Sequence, residues 1–478
     1  MKNKTRRFAA TVAALLCAVC WVPTAAAQGQ PRSGLEIYEE QLRVRLDEQV
    51  PDRSDFGYRT GGWLSFAVMD YDDPTANRDR TLRKLQLRGW LDVDYRGEHR
   101  LYVRGLANLD DWSGTDNPRG ASRGTDFDLM VERAWYQFDW GRFWLNRTGS
   151  HSPVDWKLKV GREFATIGTG LVLATPLDMI ELQADWQDWS LKALAGQTIY
   201  DSENLDRSPA VAGRQERCFY GVEVAYEGFD RHRPFVYYLM QNDHTTPEPR
   251  STTQGYDYSS RYVGIGSEGT ILSPDLAYRV EVVGEWGRTY GSGTAAGQDE
   301  ICAWAADAML EYTFRDTPTR PKVYVEYLFG SGDSDRVSSS TSTLGGNTPG
   351  TRDRAFNAFG FRDTGIAFSP AVSNLHIWSA GGSCFPLENH KWFERMEVGS
   401  KAFLYCRAKD SGAISDTSLP ATNNSSYVGW EMDVYVDWRI TSDLSWTVRY
   451  GFFQPGDAYN GSDKTCRQFV YTGLVLSF

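Results

Sequence analysis

Apolar and polar residues alternate through most of this chain, most cleanly in YVGWEMDVYVDWRI, residues 427–440. Every second residue from Val428 is apolar or aromatic: Val428, Trp430, Met432, Val434, Val436, Trp438, Ile440. Glu431, Asp433, Asp437 and Arg439 stand between them, together with Gly429 and Tyr435. Period two is the signature of a half-buried β-strand. The run of fourteen residues is more than twice the ordinary length of about five to six in soluble proteins. A face carrying two tryptophans needs cover, and lipid provides it without a second layer of protein. Strands of outer-membrane barrels alternate apolar-out and polar-in over about ten residues.

Read with the same period, the chain divides into eighteen strand-like runs. They are 58–70, 79–95, 98–111, 126–140, 156–163, 176–187, 189–199, 217–228, 232–243, 260–271, 275–289, 300–315, 320–332, 373–383, 393–408, 427–440, 443–454 and 466–478. An even count suits a single-chain bacterial barrel. Connectors alternate in length. RGE (96–98), QD (187–188), GFDR (228–231) and SPD (273–275) are short, whereas 110–126, 201–216 and 333–372 are long and rich in Gly, Ser, Asp and Thr. Short periplasmic turns and long extracellular loops are expected of this architecture. Two connectors, 141–155 and 384–392, are too long for tight turns on the short side. The Gly-rich 165–175 segment and the 333–372 loop are the candidates to fold inward as a constriction.

The chain opens MKNKTRRFAATVAALLCAVCWVPTAAAQ. Basic residues, an apolar stretch and Ala25-Ala26-Ala27 predict a secretory signal peptide, 1–27, cleaved before Gln28. Residues 28–57 are expected to form a periplasmic or luminal segment, helical or extended, and 58–478 the barrel, the only domain. No later run approaches the ~18 apolar residues of a membrane helix. The C-terminal FVYTGLVLSF, with Val470, Thr472, Leu474, Leu476 and Phe478 on one face, resembles the recognition strand of outer-membrane barrels.

Composition adds three points. Aromatics at 14%, with 17 Trp and 25 Tyr, suit interfacial girdles. The formal charge of −11 becomes −15 once the four basic leader residues are gone, which argues against nucleic acid as a partner. Five cysteines remain (Cys218, Cys302, Cys384, Cys406, Cys466) without metal-type spacing.

If the apolar face meets lipid, the alternate residues face the lumen. Lys84, Arg88, Arg100, Arg104, Arg133, Lys157, Lys159, Lys401 and Arg449 then point inward, and barrel closure gathers most of them on one wall. Glu223, Glu281, Glu285, Asp307 and Glu326 fall on the opposite arc, while Glu431, Asp433 and Asp437 interrupt the basic wall. Arg or Lys facing lipid at mid-membrane costs roughly 2–4 kcal/mol, so a wet lumen is expected. Two opposed walls would set a transverse field across it. The Asp-rich stretches 70–74 and 108–111 lack the spacing of a calcium loop. No His-x-x-x-His and no Gly-x-Ser-x-Gly occurs. Neither catalysis nor a metal or other cofactor is expected.

Several stretches resemble the alginate-export family of outer-membrane porins. The last strands (427–459, with YGFFQPGDAY), YVEYLFGSGDSD (324–335) followed by a long loop, and KVGREF…PLDMIEL (159–182) carry the likeness. It implies an eighteen-stranded transmembrane antiparallel β-barrel in the outer membrane and passive diffusion of an anionic uronate polymer or its relatives. By motif match it marks Arg162, Asp178 and Arg449 as pore-lining functional positions. Outer-membrane lipid, the barrel-assembly machinery acting on the C-terminal strand, and a saccharide solute are the partners expected. The alternative is a plugged structural or adhesive barrel whose loops bind surface polysaccharide.

Overall fold

Eighteen strands lie between Phe56 and Ser477. The computed structural model describes residues 56–73, 78–114, 116, 125–199, 216–245, 253–294, 297–336, 339–343, 345–415, 423–461 and 464–478. The expected leader and nearly all of the 28–57 segment lie outside the described residues.

The first six strands are β1 (Phe56–Asp73), β2 (Arg78–Tyr95), β3 (His99–Trp112), β4 (Thr125–Asp139), β5 (Asp155–Ile167) and β6 (Leu173–Trp186). The next six are β7 (Trp189–Thr198), β8 (Arg217–Tyr226), β9 (His232–Asp243), β10 (Ser259–Thr270), β11 (Leu276–Thr289) and β12 (Asp299–Thr313). The last six are β13 (Lys322–Gly330), β14 (Leu375–Cys384), β15 (Met396–Arg407), β16 (Tyr427–Arg439), β17 (Leu444–Pro455) and β18 (Arg467–Ser477). All eighteen expected strands are present. Each pairs antiparallel with its sequence neighbours, and β1 pairs with both β2 and β18, so the sheet closes. Closure removes the sheet edges that lipid could not hydrate. The last residue completes it, since Phe478 and Gly62 exchange backbone hydrogen bonds of 2.9 Å in both directions.

The alternation read from sequence is observed over most of the wall; Val428 is an exception, buried in the interior where a β15–β16 register shift leaves it unopposed. On β16, Trp430, Met432 and Val434 are exposed, whereas Glu431 and Asp433 are buried. Leu85, Leu87 and Leu91 are likewise exposed on β2. Aromatic residues cluster near the strand ends: Tyr58, Tyr95, Trp186, Trp189 and Phe478 at the short-turn end, and Phe127, Trp286, Trp304 and Trp378 at the other. This is the girdle pattern of a membrane barrel.

The buried core therefore lies inside the barrel. One cluster joins Ile167, Leu173, Leu177, Phe219 and Tyr237 to Phe356 and Phe359. A second joins Leu328, Ile377, Tyr405 and Phe453 to the partly buried Phe368 and Val372. In both, residues of the 331–374 connector supply the inner layer. Of the two over-long short-side connectors, the first contains a helix, α1 (Trp140–Thr148), capped by the Asp139 side chain and by Gly149 in the left-handed region. The five cysteines among the described residues are free thiols.

Candidate functional site

Both connectors expected to fold inward do so, and they meet inside the barrel. The β5–β6 turn is bent by Gly168 (φ 58°), where a Cβ would lie 2.6 Å from the Tyr237 ring. Its tip presents backbone N–H groups to the wall: Gly168 N–H donates to Glu223 (2.8 Å) and Thr169 N–H to Glu281 (3.0 Å). The 331–374 loop lies alongside it. Phe359 N–H donates to Val172 O (2.8 Å), Ala174 N–H to Phe359 O (3.0 Å), and Phe361 N–H to Gly170 O (3.0 Å). Arg362 then clamps the two segments. Its Nε donates to Asp307 (2.8 Å) and its Nη1 to Thr169 O (3.0 Å).

The acidic arc is what holds these loops. Glu285, buried, accepts from Tyr258 (2.6 Å) and from Asn357 N–H (2.9 Å). Glu281 accepts from the Tyr237 hydroxyl at 2.5 Å. Asp307 takes Arg279 (2.9 Å) as well as Arg362, and Arg279 also pairs with Glu326. Glu223 pairs with Arg233 at 2.9 Å. Across the lumen Glu431, with no exposed surface, accepts three successive backbone N–H groups: Ile366 (2.6 Å), Ala367 (2.7 Å) and Phe368 (2.9 Å). Lys401 pairs with Asp363 of the same loop. These acids point inward as the alternation requires, but they do not form a bare wall facing the basic one. Loop amides and the cations Arg233, Arg279 and Arg362 occupy them.

Burial of Asp333, at the root of the loop, opposes its charge. The hydrogen bond from Asp335 and the Arg354 N–H nevertheless hold its carboxyl below the usual carboxylate range.

The basic wall is organised differently. Arg88 (3.0 Å) and Arg104 (2.6 Å) share Glu132, and both guanidinium groups lie over Trp63. Arg59 (2.5 Å) and Arg100 (2.9 Å) share Asp92, and Arg133 pairs with Glu163 at 2.7 Å. Five arginines of β1–β4 are thus joined by ion pairs to three carboxylates, Asp92, Glu132 and Glu163. A sixth cation, Lys159 of β5, sits 4.9 Å over Trp135 and makes no ion pair among the described residues. Lys84 lies on the inward face of β2, level with Asp110 of β3, and Lys157 is near the short-turn rim, 3.9 Å from Asp139. Between β15–β17 and the loop apex a partly open recess is lined by Arg362, Asp363, Lys401, Asp433, Tyr435 and Arg449. Arg449 pairs with Asp437 (3.1 Å), and its guanidinium is 5.2 Å from the Tyr435 ring.

Strict alternation would not place Glu132 and Arg133 on one face. The β3–β4 register slips at Arg104/Gly105, so Glu132 opposes no residue and both side chains reach the lumen. A β-bulge produces this effect. In the sequence the signal is the adjacent pair Glu132-Arg133, which interrupts the two-residue period of 126–140.

Two motif positions lie elsewhere. Arg162 and Asp178 are register partners, as are Val160 and Ile180, whose side chains are exposed to the lipid side. Lys159, Glu163 and Glu181 have the opposite parity and point inward. Arg162 and Asp178 therefore project outward, paired at 2.8 and 3.2 Å, and do not line the lumen. The spacing explains it, since odd-numbered Lys157 and Lys159 face the lumen. The β4–β5 ladder stops at this level: Ala134 pairs with Arg162, and above it β5 continues with β6 alone. Arg162 Nη1 donates to Val131 O at 2.7 Å, where the next ladder bond would be. The neighbouring Gly161 (φ 132°) comes so close to β4 that a Cβ would be 2.2 Å from Ala134 O. The Gly-Arg…Leu-Asp motif thus marks the point at which the β5–β6 hairpin leaves the wall to enter the lumen.

A closed eighteen-stranded barrel with a lipid-facing belt, a charged lumen and loops folded into it defines a porin-like integral protein of the outer membrane. Residues 73–471 match the Alginate export family, and the chain belongs to it. Its fold is similar to three channels of Pseudomonas aeruginosa. OccK5 (OpdH) has 12% identity and TM-score 0.53, covering 88% of this chain and 97% of that one. OccK11 (OpdR) has 14% identity and TM-score 0.51, covering 88% and 95%. OpdK, in a structure with vanillate, has 10% identity and TM-score 0.53, covering 88% and 99%. No curated protein is a significant match. The family and the fold are those of transport proteins rather than enzymes.

Proposed function

We propose that this protein is a passive diffusion channel for hydrophilic anions, with uronate saccharides as the solute class. The observation that carries the reading is a local surplus of cations within the β1–β5 wall, where Arg59, Arg88, Arg100, Arg104 and Arg133, with Lys159 beside them, gather around Asp92, Glu132 and Glu163. Opposite it the acids are engaged by the inward loops, so the electrostatic bias of the remaining path is positive although the chain is acidic. A surplus of fixed positive charge in a narrowed aqueous passage raises the local concentration of anions. The half-buried ring of Tyr435, beside Lys401 and Arg449, offers a stacking surface to a sugar ring. The depth to which the loops fill the lumen favours one rival, a plugged barrel serving structure or adhesion.

Current through a planar bilayer under a salt gradient tests both. The wild type is expected to conduct with anion preference and to be blocked by uronate oligomers. Arg88→Gln, Lys159→Gln and Arg449→Gln combined should lower the anion-to-cation permeability ratio and weaken the block. Loss of neither in a folded variant would overturn the anion reading. A folded wild-type barrel that carries no current would favour the plug.

A further inference from the structure

Helix α1 has no buried residue, although Trp140, Phe143, Trp144 and Leu145 make up nearly half of its nine residues. A helix this short is marginal in water, and protein covers its apolar residues only in part. They do not stand apart from the membrane surface, however. Trp140 stacks on Trp156 and Phe143 meets Phe138, each at 5.5 Å, and Phe138 meets Trp156 at 5.5 Å. Phe138 and Trp156 share the outward face of β4 and β5 with Tyr136, Leu158 and Val160. The aromatic side of α1 is therefore continuous with the lipid-facing belt at its short-turn, periplasmic end.

Charge at the same place is sorted by exposure. Arg96, Arg142 and Arg147 are exposed, and Arg142 packs beside Gly97 of the β2–β3 turn, next to Arg96. The nearby acids are turned in: the Glu98 side chain is 2% exposed and held by Arg147 and Asn146, and Asp139 caps the helix. An aromatic edge at the acyl boundary beneath a rim of arginines is the chemistry of an interfacial helix on anionic lipid.

We propose that α1 lies in the headgroup layer of the periplasmic leaflet and binds an anionic phospholipid. Trp140 and Trp144 sit at the acyl boundary, and Arg96 and Arg142 take the phosphate. The β4–β5 connector is thereby fixed to the membrane beneath β5, whose upper part bends into the lumen with β6.

The test is native mass spectrometry of the full-length mature protein released from nanodiscs of mixed phosphatidylethanolamine and phosphatidylglycerol. The wild type is expected to retain phosphatidylglycerol selectively. Arg96→Gln with Arg142→Gln should weaken that retention by about thirtyfold, from roughly fivefold per arginine near a charged surface. Unchanged heat-modifiable migration on gels shows that the variant barrel is folded. Equal retention by variant and wild type overturns the proposal. A second measurement compares wild type with Trp144→Phe in vesicles of phosphatidylglycerol brominated near the headgroup end of the acyl chain. The Trp144 contribution is expected to be quenched by the bromolipid. Quenching by aqueous iodide instead places the helix in water and also overturns the proposal. Neither readout depends on conduction, so failure here is distinct from failure of the channel reading.

Discussion

Glu431 is the most consequential single anchor of the constriction, and Glu431→Ala should release it. The carboxylate is fully buried and accepts the N–H groups of Ile366, Ala367 and Phe368 at 2.6–2.9 Å, with the Tyr405 hydroxyl at 3.2 Å. Hydrogen bonds to a charged partner are worth about 1.5–3 kcal/mol each, so three represent a gross of roughly 5–9 kcal/mol. Such terms are not additive, and breaking one side of a buried charged contact typically costs about 3–5 kcal/mol. Taking ~4 kcal/mol, the balance between docked and undocked apex shifts about a thousandfold. A state too rare to register in the wild type becomes a resolvable share of the current record. The assay is single-channel conductance, paired with amide hydrogen exchange at Ile366–Phe368. Expected are a larger conductance substate, more open-channel noise and lost protection at those three amides. Glu431→Gln keeps one accepting oxygen and should fall between. A folded Glu431→Ala barrel with wild-type conductance, noise and protection would refute the assignment of Glu431 as the tether.

Three other outcomes are expected. A Cβ added at Gly161 would lie 2.2 Å from Ala134 O, on backbone at φ 132°, so Gly161→Val should sharply reduce the folded fraction seen by heat-modifiable migration. Arg162→Gln and Asp178→Asn should each lower the midpoint of urea unfolding while leaving ion preference unchanged, and the double variant should lose about 1–2 kcal/mol less than the sum; a shift in ion preference would return the pair to the lumen. Deletion of Phe478, whose backbone exchanges two hydrogen bonds with Gly62, should depress assembly into the outer membrane in cells more than refolding in detergent, if the C-terminal strand is read by assembly machinery.

Strand number and the inward basic residues were legible because a barrel wall imposes one rule on every strand: lipid outside, water or loop inside. A two-residue period records that rule locally, and Lys84, Arg88, Arg104, Lys159 and Arg449 obey it. What the period does not record is contact between distant segments. Glu281 and Glu431 read as free inward acids, because their partners are backbone amides of connectors with no pattern of their own. Arg362 and Asp363 lie within such a connector and carried no period to flag them. The bulge at Glu132 shifted one strand locally and hid the partner shared by Arg88 and Arg104.

Arg162 and Asp178 show the opposite case, in which the local pattern was right and the motif likeness misled. Lys157 and Lys159 already put odd positions of β5 inside, so Arg162 had to point out. A likeness of motif identifies residues whose identity matters without saying which side of the wall they serve. Here the pair stands outside, yet it acts on the lumen: it closes the seam where β5 parts from β4, and so sets where the hairpin that presents Gly168 and Thr169 to Glu223 and Glu281 turns inward. In a closed sheet one strand cannot leave the wall unless something else satisfies the backbone it abandons. Arg162 meets that need at Val131 with a side-chain donor, and Asp178 holds the guanidinium in place. The constriction is therefore held by lumen acids on its inner side and by an ion pair on the lipid side at its root.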